Sequence, residues 1–458
     1  MTAPMAPRPT ASMPRPYHFP AFERRRLASG IELITAPVTK LPLVSVVALL
    51  DAGATLDPVG QEGLAVLTTK LLLEGTANYD GATLVDAFEQ LGATVDASAD
   101  WDGASVQFSV LRGNVRPALT LLSEVLRQPA FRESDVVRLK AERQAERMQM
   151  LTEPRELADE GFEHFLYAPA SRYSRSNAGS SRSIARVAPP DVLAFSRAHH
   201  APARVTLIVV GDIDHEDTAE TVERAFSGWI GSPGDIPAVA EHPASRERRV
   251  QIIAKADAPQ SELRIGHLGV PRGHPDHFKL VVMNAVLGGL FSSRINLNLR
   301  ERHGYAYGAR SAFKWRRGAG PWVVSTAVES GVSANATREV IAEIATMRHT
   351  PISPDELSLA TSFLAGVFPI RFETTTAIAN ALASLVTYNH PVDYFDTYRH
   401  NIAAVTIDEV LDAAQKHLDP ERLLVLAVGD PDLIRGPLET LGIGPVTSAQ
   451  PDDVESGA

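Results

Sequence analysis

The chain has 458 residues, of which 44% are hydrophobic and 22% charged, with a formal net charge of -11 and no cysteine. That length exceeds one ordinary core, so two or more domains of a soluble globular protein are expected. The acidic balance argues against nucleic-acid binding, which needs clustered Lys and Arg, and the lack of cysteine excludes disulfides, thiolate zinc sites and cysteine nucleophiles.

Residues 1–21 are rich in proline without an apolar core. They read as a flexible arm rather than a signal peptide, and a cytoplasmic location is expected, with the periplasm also compatible. The early apolar run Leu41 to Leu50 is too short to span a bilayer, so no membrane contact is expected. From Phe22 to Ala54 the pattern is strand-like. Gly63 to Leu73 reads as an apolar helix, and Leu84 to Leu91 as another stopped by Gly92. Thr94 to Leu111 alternates, as two strands around Trp101-Asp102-Gly103 would. Val115 to Leu126, Ser134 to Leu151 and Asp191 to His199 read as helices, and Val205 to Val210 as a strand.

That ending returns late in the chain. Arg204 to Asp214 reads RVTLIVVGDID and Arg422 to Asp432 reads RLLVLAVGDPD. Gly211 and Gly429, Pro202 and Pro420, Ile184 and Ile402, and Val187 and Val405 all stand 218 apart. A register held across a helix, a turn and a strand points to duplication. Two homologous units are therefore expected, at 22–230 and 248–447. The Pro-, Gly- and Ala-rich stretch 231–247 would be their linker, and 448–458 a flexible polar tail. Ser353-Pro354-Asp355-Glu356 and Thr406-Ile407-Asp408-Glu409 are capping boxes that start helices in the second copy. Strands and helices mixed through both copies predict an α+β fold with helices packed on one side of each sheet.

Within the second copy lies Leu287 to Tyr307, LGGLFSSRINLNLRERHGYAY, which reads as loop, helix and strand. Gly288-Gly289 break the apolar run, Ser292 or Ser293 can cap a helix, and Gly304 can end it. Ile295 and Leu299 give that helix one apolar face. Arg300 falls in its last turn, and Tyr307 stands where a strand can begin. A guanidinium fork and a phenol so placed can face one substrate carbonyl.

The tandem halves, the linker and the GG-x-FSSR…LRE…YAY stretch resemble the pitrilysin/insulinase family of zinc peptidases, in the branch of the mitochondrial processing peptidase. The resemblance runs from about Phe22 to Leu441. It implies mostly antiparallel sheets with helices packed on them, in two domains that form half of a clamshell. It also implies a zinc site in one half, and an arginine and a tyrosine reaching across from another. Arg300 and Tyr307 match that pair in type and spacing. The zinc motif of the family, HxxEH, is missing. Its frame is present as Gly63-Leu64-Ala65 and Gly75-Thr76, but Val66, Thr69 and Lys70 occupy the positions of the first histidine, the glutamate and the second histidine. Valine cannot ligate zinc, threonine cannot serve as general base, and a lysine ammonium repels the cation. A distal ligand glutamate would fall near Glu142 to Glu146.

Other candidates read as ordinary structure. Glu160-Gly161-Phe162-Glu163-His164 imitates HxxEH but suits an acidic helix face. His199 and His200 are adjacent and point about 100° apart on a helix. His274 and His277 lie in a turn with no third ligand nearby in sequence. Arg310, Lys314, Arg316 and Arg317 around Trp315 could hold an acidic peptide or form a solvated hairpin. Thr94, Val95, Asp96 and Ala97 sit where the resemblance places a substrate-pairing strand, to which a peptide could add.

The expected protein is thus the non-catalytic, substrate-binding or regulatory subunit of a heterodimeric zinc metalloendopeptidase. It would have no cofactor of its own, and its partner would be a related HxxEH subunit that carries the zinc. Arg300 and Tyr307 would act on a peptide substrate in the partner's active site. The alternative is an inert structural or binding scaffold of the same fold.

Overall fold

A computed structural model of the chain describes residues 16–232 and 242–456. The alternating and all-apolar runs form two six-stranded sheets. The first contains β1 (Glu23–Arg26), β2 (Glu32–Pro37), β3 (Leu43–Leu50), β4 (Asp96–Ala99), β5 (Ala104–Leu111) and β6 (Val205–Gly211), in the order β1-β2-β6-β3-β5-β4. The second contains β7 (Arg249–Ala254), β8 (Gln260–Leu268), β9 (Ala306–Phe313), β10 (Pro321–Glu329), β11 (Leu424–Gly429) and β12 (Val446–Ala449), in the order β12-β7-β11-β8-β10-β9. Pairing is antiparallel except for β2 with β6, β7 with β11, and β7 with β12. The α+β architecture and the duplication are as expected. Helices Pro189–His199 and Ile407–His417 each lead through a single turn into β6 and β11.

Burial explains why the repeated strands contain so little polar sequence. Every residue of β6 and of β11 is buried, as strands covered on both faces must be. The second cover comes from the other half of the chain. Helix Thr375–Thr387 packs on β3 and β6, and helix Pro154–Leu166 packs on β8 and β11. A Cβ at Gly161 would lie 2.5 Å from Ile253 Cδ1, so this glycine allows the second helix its close approach to the sheet.

Polar contacts join the same surfaces. Ser45 Oγ meets Thr375 Oγ1 at 2.8 Å and Thr376 Oγ1 at 2.9 Å. Tyr167 donates its hydroxyl to Ala319 O at 2.8 Å, and Arg317 N–H donates to Asp102 at 2.9 Å.

Both chain ends differ from expectation. The polar composition of 448–458 suggested a flexible tail. Instead β12 pairs with β7, and a helix, Pro451–Ser456, follows it. Val454 is buried, and Glu455 pairs at 2.7 Å with Arg147, itself 4% exposed. A buried guanidinium requires such partners, and that need anchors a segment without an apolar stripe. Of the proline-rich arm, residues 1–15 lie outside the described residues. Phe19 is buried and stacks on Phe395 at 4.4 Å, so this part of the arm is held on the second half. Much of the linker also lies outside the described residues, and within its described part Pro243 bridges to Tyr167.

The segment His277–Arg302 is long and apolar enough to cross a membrane by length and composition. Leu290 breaks it with an extended backbone, φ -100° and ψ 157°, and its apolar residues pack into the second core.

Candidate functional site

The frame helix is Leu64–Leu71, and its interior is filled by packing. Val66 is buried, while Thr69 is fully buried and donates its hydroxyl back to Ala65 O at 2.8 Å. Lys70 reaches Asp96 Oδ1 at 3.6 Å. The helix N-terminus is held by Asp57, whose carboxylate accepts the Gly63 and Ala65 N–H groups at 2.8 and 2.7 Å and pairs with Arg172 at 2.8 Å. Glu142 and Glu146, near the distal-ligand position, are engaged by Arg138 and Arg143 at 2.7 Å each. These residues do not fit a zinc ion. Of the three positions, two hold side chains without a metal-binding lone pair suited to zinc, and the third holds a cation.

Beside this helix, β4 forms a free edge of the first sheet among the described residues. Of the four expected peptide-pairing residues, Asp96 and Ala97 lie in that strand, paired with Gln107 and Val106. Thr94 and Val95 precede it. Ala97 is buried and Asp96 is exposed, with its carboxylate already met by Lys70.

The second sheet ends in the equivalent free edge, β9. The predicted loop, helix and strand appear there with one difference: the helical parts widen into π turns at Ala285–Gly289 and Leu297–Arg302. Such turns push side chains outward and recur at functional sites. Ser293 takes the N-cap position without a side-chain capping bond, and Gly304 closes the stretch with φ +66°. Gly288 is required by contact, because a Cβ there would lie 2.4 Å from Ser311 Oγ and 2.7 Å from Ser311 N. Two asparagines stitch the stretch to β9. Asn296 donates to Phe291 O at 2.5 Å and accepts from Ala309 N–H at 2.9 Å. Asn284 donates to Ser311 O at 3.0 Å and accepts from Ser311 Oγ at 2.7 Å and Trp322 Nε1 at 2.9 Å.

The structure brings Arg300 and Tyr307 together. The Arg300 guanidinium lies 4.5 Å from the Phe291 ring centroid and 5.7 Å from that of Tyr307. Tyr307 is 95% exposed and Phe291 72%. All three line an open cleft of about 640 Å³, along with Asn296, Arg310 and Thr326. The guanidinium thus lies within cation–π range of two exposed rings, and it contacts Glu301 at 3.4 Å. Phe291 and the two asparagines were not found from sequence. The signal available was the aromatic two positions after Gly288-Gly289, in a position that no apolar periodicity explains.

The remaining candidates separate. The Glu160 face is an interior ion network: Glu160 pairs with Arg147, and Glu163 with Arg316 at 2.5 Å and Lys314 at 3.2 Å. Against the upward push of burial, Arg316 and Lys314 hold the Glu163 carboxyl below its usual range. Arg316 is 5% exposed and stacks on Trp101 and Tyr173 at 4.7 and 4.6 Å. Arg317 pairs with Asp51 at 2.5 Å. The basic hairpin therefore binds the two halves together, and of its four cations Arg310 faces the cleft. Burial pushes His200 down to about 3, and its ring packs against Phe195. His277 is buried against Trp315, where burial and Arg272 lower it to about 2. His274 parts from it and lies beside Asp276 and His417.

Comparison with known proteins places this geometry among peptidase folds. The model of "Insulinase (Peptidase family M16)" matches residues 36–175, and that of "Peptidase M16 inactive domain" matches residues 186–364. The chain is 24% identical over 57% of its length to a probable mitochondrial-processing peptidase subunit beta of Arabidopsis thaliana, and it spans about half (49%) of that relative. It is 22% identical over 78% of its length to the uncharacterized zinc protease YmxG of Bacillus subtilis, covering 86% of it. With cytochrome b-c1 complex subunit 1 of Bos taurus it shares 23% identity over 59% of its length and 56% of that protein's. The fold is similar to a crystal structure of a peptidase M16 inactive domain from Pseudomonas fluorescens, with a TM-score of 0.83, 24% identity, and coverage of 89% and 98% of the two chains. It is equally similar to a protease from Helicobacter pylori, with a TM-score of 0.83, 17% identity, and coverage of 90% and 100%.

Proposed function

Because the chain belongs to peptidase family M16, we propose that it is the non-catalytic subunit of a heterodimeric zinc endopeptidase. The observation that carries this reading is the contrast between two places in one chain. The frame helix has no zinc-binding chemistry, whereas Arg300, Phe291 and Tyr307 form an exposed, preoriented group at the edge of a cleft. Exposed aromatic surface of this kind marks a place that another molecule covers.

In this reading the zinc and the water it activates belong to an HxxEH partner. This chain's residues bind and orient. Arg300 presents two N–H groups to a substrate carbonyl, and its stacking on Phe291 lowers the entropy lost on engagement. The Tyr307 hydroxyl donates to the oxygen that becomes negative as the carbonyl turns tetrahedral. β9, as a free edge, offers backbone groups beside them for an extended peptide.

The likeness to a respiratory-complex subunit supports a second reading, in which the chain is an inert scaffold within a larger assembly. Peptide hydrolysis by the purified chain, alone and with an HxxEH relative, tests the first. Alone it should show no chelator-sensitive hydrolysis, and with the partner it should. Chelator-sensitive turnover by the chain alone would overturn the assignment, and an inactive complex would favour the scaffold.

A further inference from the structure

We propose that His274, Asp276 and His417 form a binding site for a divalent transition-metal ion of the zinc class, on the second half and outside the degenerate frame. One ligand atom from each lies within 4.8 Å of the others, and all three residues are partly buried. His417 Nε2 is 2.8 Å from Asp276 Oδ2, and the His274 and His417 rings stand 4.9 Å apart at 82°. Two imidazoles and a carboxylate are the borderline donor set that zinc prefers, with a fourth position left for solvent.

The backbone brings the ligands together by two routes. Pro271, Gly273 and Pro275 turn the chain after β8, with the His274 N–H bonded to Pro271 O at 3.1 Å and the His277 N–H to His274 O at 3.0 Å. Asp276 then sits at the N-cap of helix His277–Asn284. His417 ends helix Ile407–His417, which packs against that helix. His274 and His417 are 143 residues apart, so the sequence showed two histidines in a turn and no third ligand.

Tetrahedral coordination with ligand bonds of about 2.0–2.2 Å needs ligand atoms roughly 3.3 Å apart. The Asp276–His417 pair, now at 2.8 Å, must therefore open by about half an ångström, while atoms as far as 4.8 Å apart must close in by up to about 1.5 Å. His274 would exchange a bond, since its Nδ1 now accepts the Asp276 N–H at 3.1 Å. The nearest cation, Lys279, is 3.6 Å from Asp276 but also pairs with Glu409 at 3.4 Å, and Lys416 pairs with Asp412 at 2.6 Å. The surroundings therefore leave a net negative charge for a dication. Bound metal would tie the turn before the site helix to the end of a core helix.

The test uses the full chain, stripped with chelator and without a partner, so its result is independent of the subunit assignment. Titration with Zn2+ should show one ion per chain, and Co2+ should give the visible absorption of a four- or five-coordinate site. His274→Gln and His417→Gln, made singly and each checked for a cooperative melt, should weaken binding at least about tenfold. The exposed His349→Gln should leave it unchanged. No saturable binding, or binding unaltered by both ligand variants, would overturn the proposal.

Discussion

In the proposed role, Arg300 and Tyr307 depend on the residues packed around them. The Phe291 ring lies 4.5 Å from the guanidinium, Asn296 pins the turn to β9, and Gly288 lets the turn lie against Ser311. Gly288→Ala forces a methyl into contact with a backbone nitrogen, which cannot rotate away. We expect a loss of about 1–3 kcal/mol in denaturant unfolding, as for an overpacked core position. A variant as stable as the parent would show that the π turn and β9 are not in the contact described. The Arg-Tyr pair was picked out in sequence through the family resemblance, since its spacing alone also suits a solvated helix end and a half-buried strand residue. Phe291 and Asn296 were not, because their roles depend on contacts that no periodicity encodes. The misfit of the frame to zinc was also readable in sequence, since it needs only the chemistry of Val66, Thr69 and Lys70.

At the scale of elements, the helical stretch carrying Arg300 is tied to helix Pro354–Val367 by one ion pair. Arg294 contacts both oxygens of Glu356, at 2.6 and 2.9 Å, and Glu356 also closes the capping box with Ser353. The Arg294 bonds lead, with the Ser353 N–H, in holding Glu356 down to about 2 against the opposing effect of burial. Because the folded value lies below the ordinary 4.5, the pair's stabilisation is present above pH ~4.5 and is lost as pH falls toward ~2. Glu356→Gln should cost about 1 kcal/mol at neutral pH, allowing for solvent screening, and should flatten the stability profile between those values. An unchanged acid limb would contradict this. The capping boxes and the repeated strands were plain in sequence. The strand and helix at 446–456 were not, because an edge pairing and a single buried ion pair leave no apolar stripe.

For the whole molecule, duplication was readable from the constant register, but the exchange of helices was not. Sequence suggested two halves joined by a linker. The structure has each half covering the other's sheet, which is why β6 and β11 are apolar on both faces. The halves are therefore one unit, and among the described residues two of its four edge strands, β4 and β9, border the two places at issue. One edge lies beside the frame without zinc chemistry, and the other beside the exposed Arg-Tyr group. The central claim is that this second edge works in a partner's active site. Steady-state peptide hydrolysis by the heterodimer carrying Arg300→Lys or Tyr307→Phe tests it most directly, with partner zinc content and melting temperature checked in parallel. Lysine lacks the planar fork, and phenylalanine removes one donor with little change of shape. Loss of one such donor typically lowers turnover about 10²–10³-fold. The account predicts a fall of that order in each variant, with assembly, zinc content and melting temperature unchanged. Parental turnover in both variants would contradict it and leave the chain a scaffold.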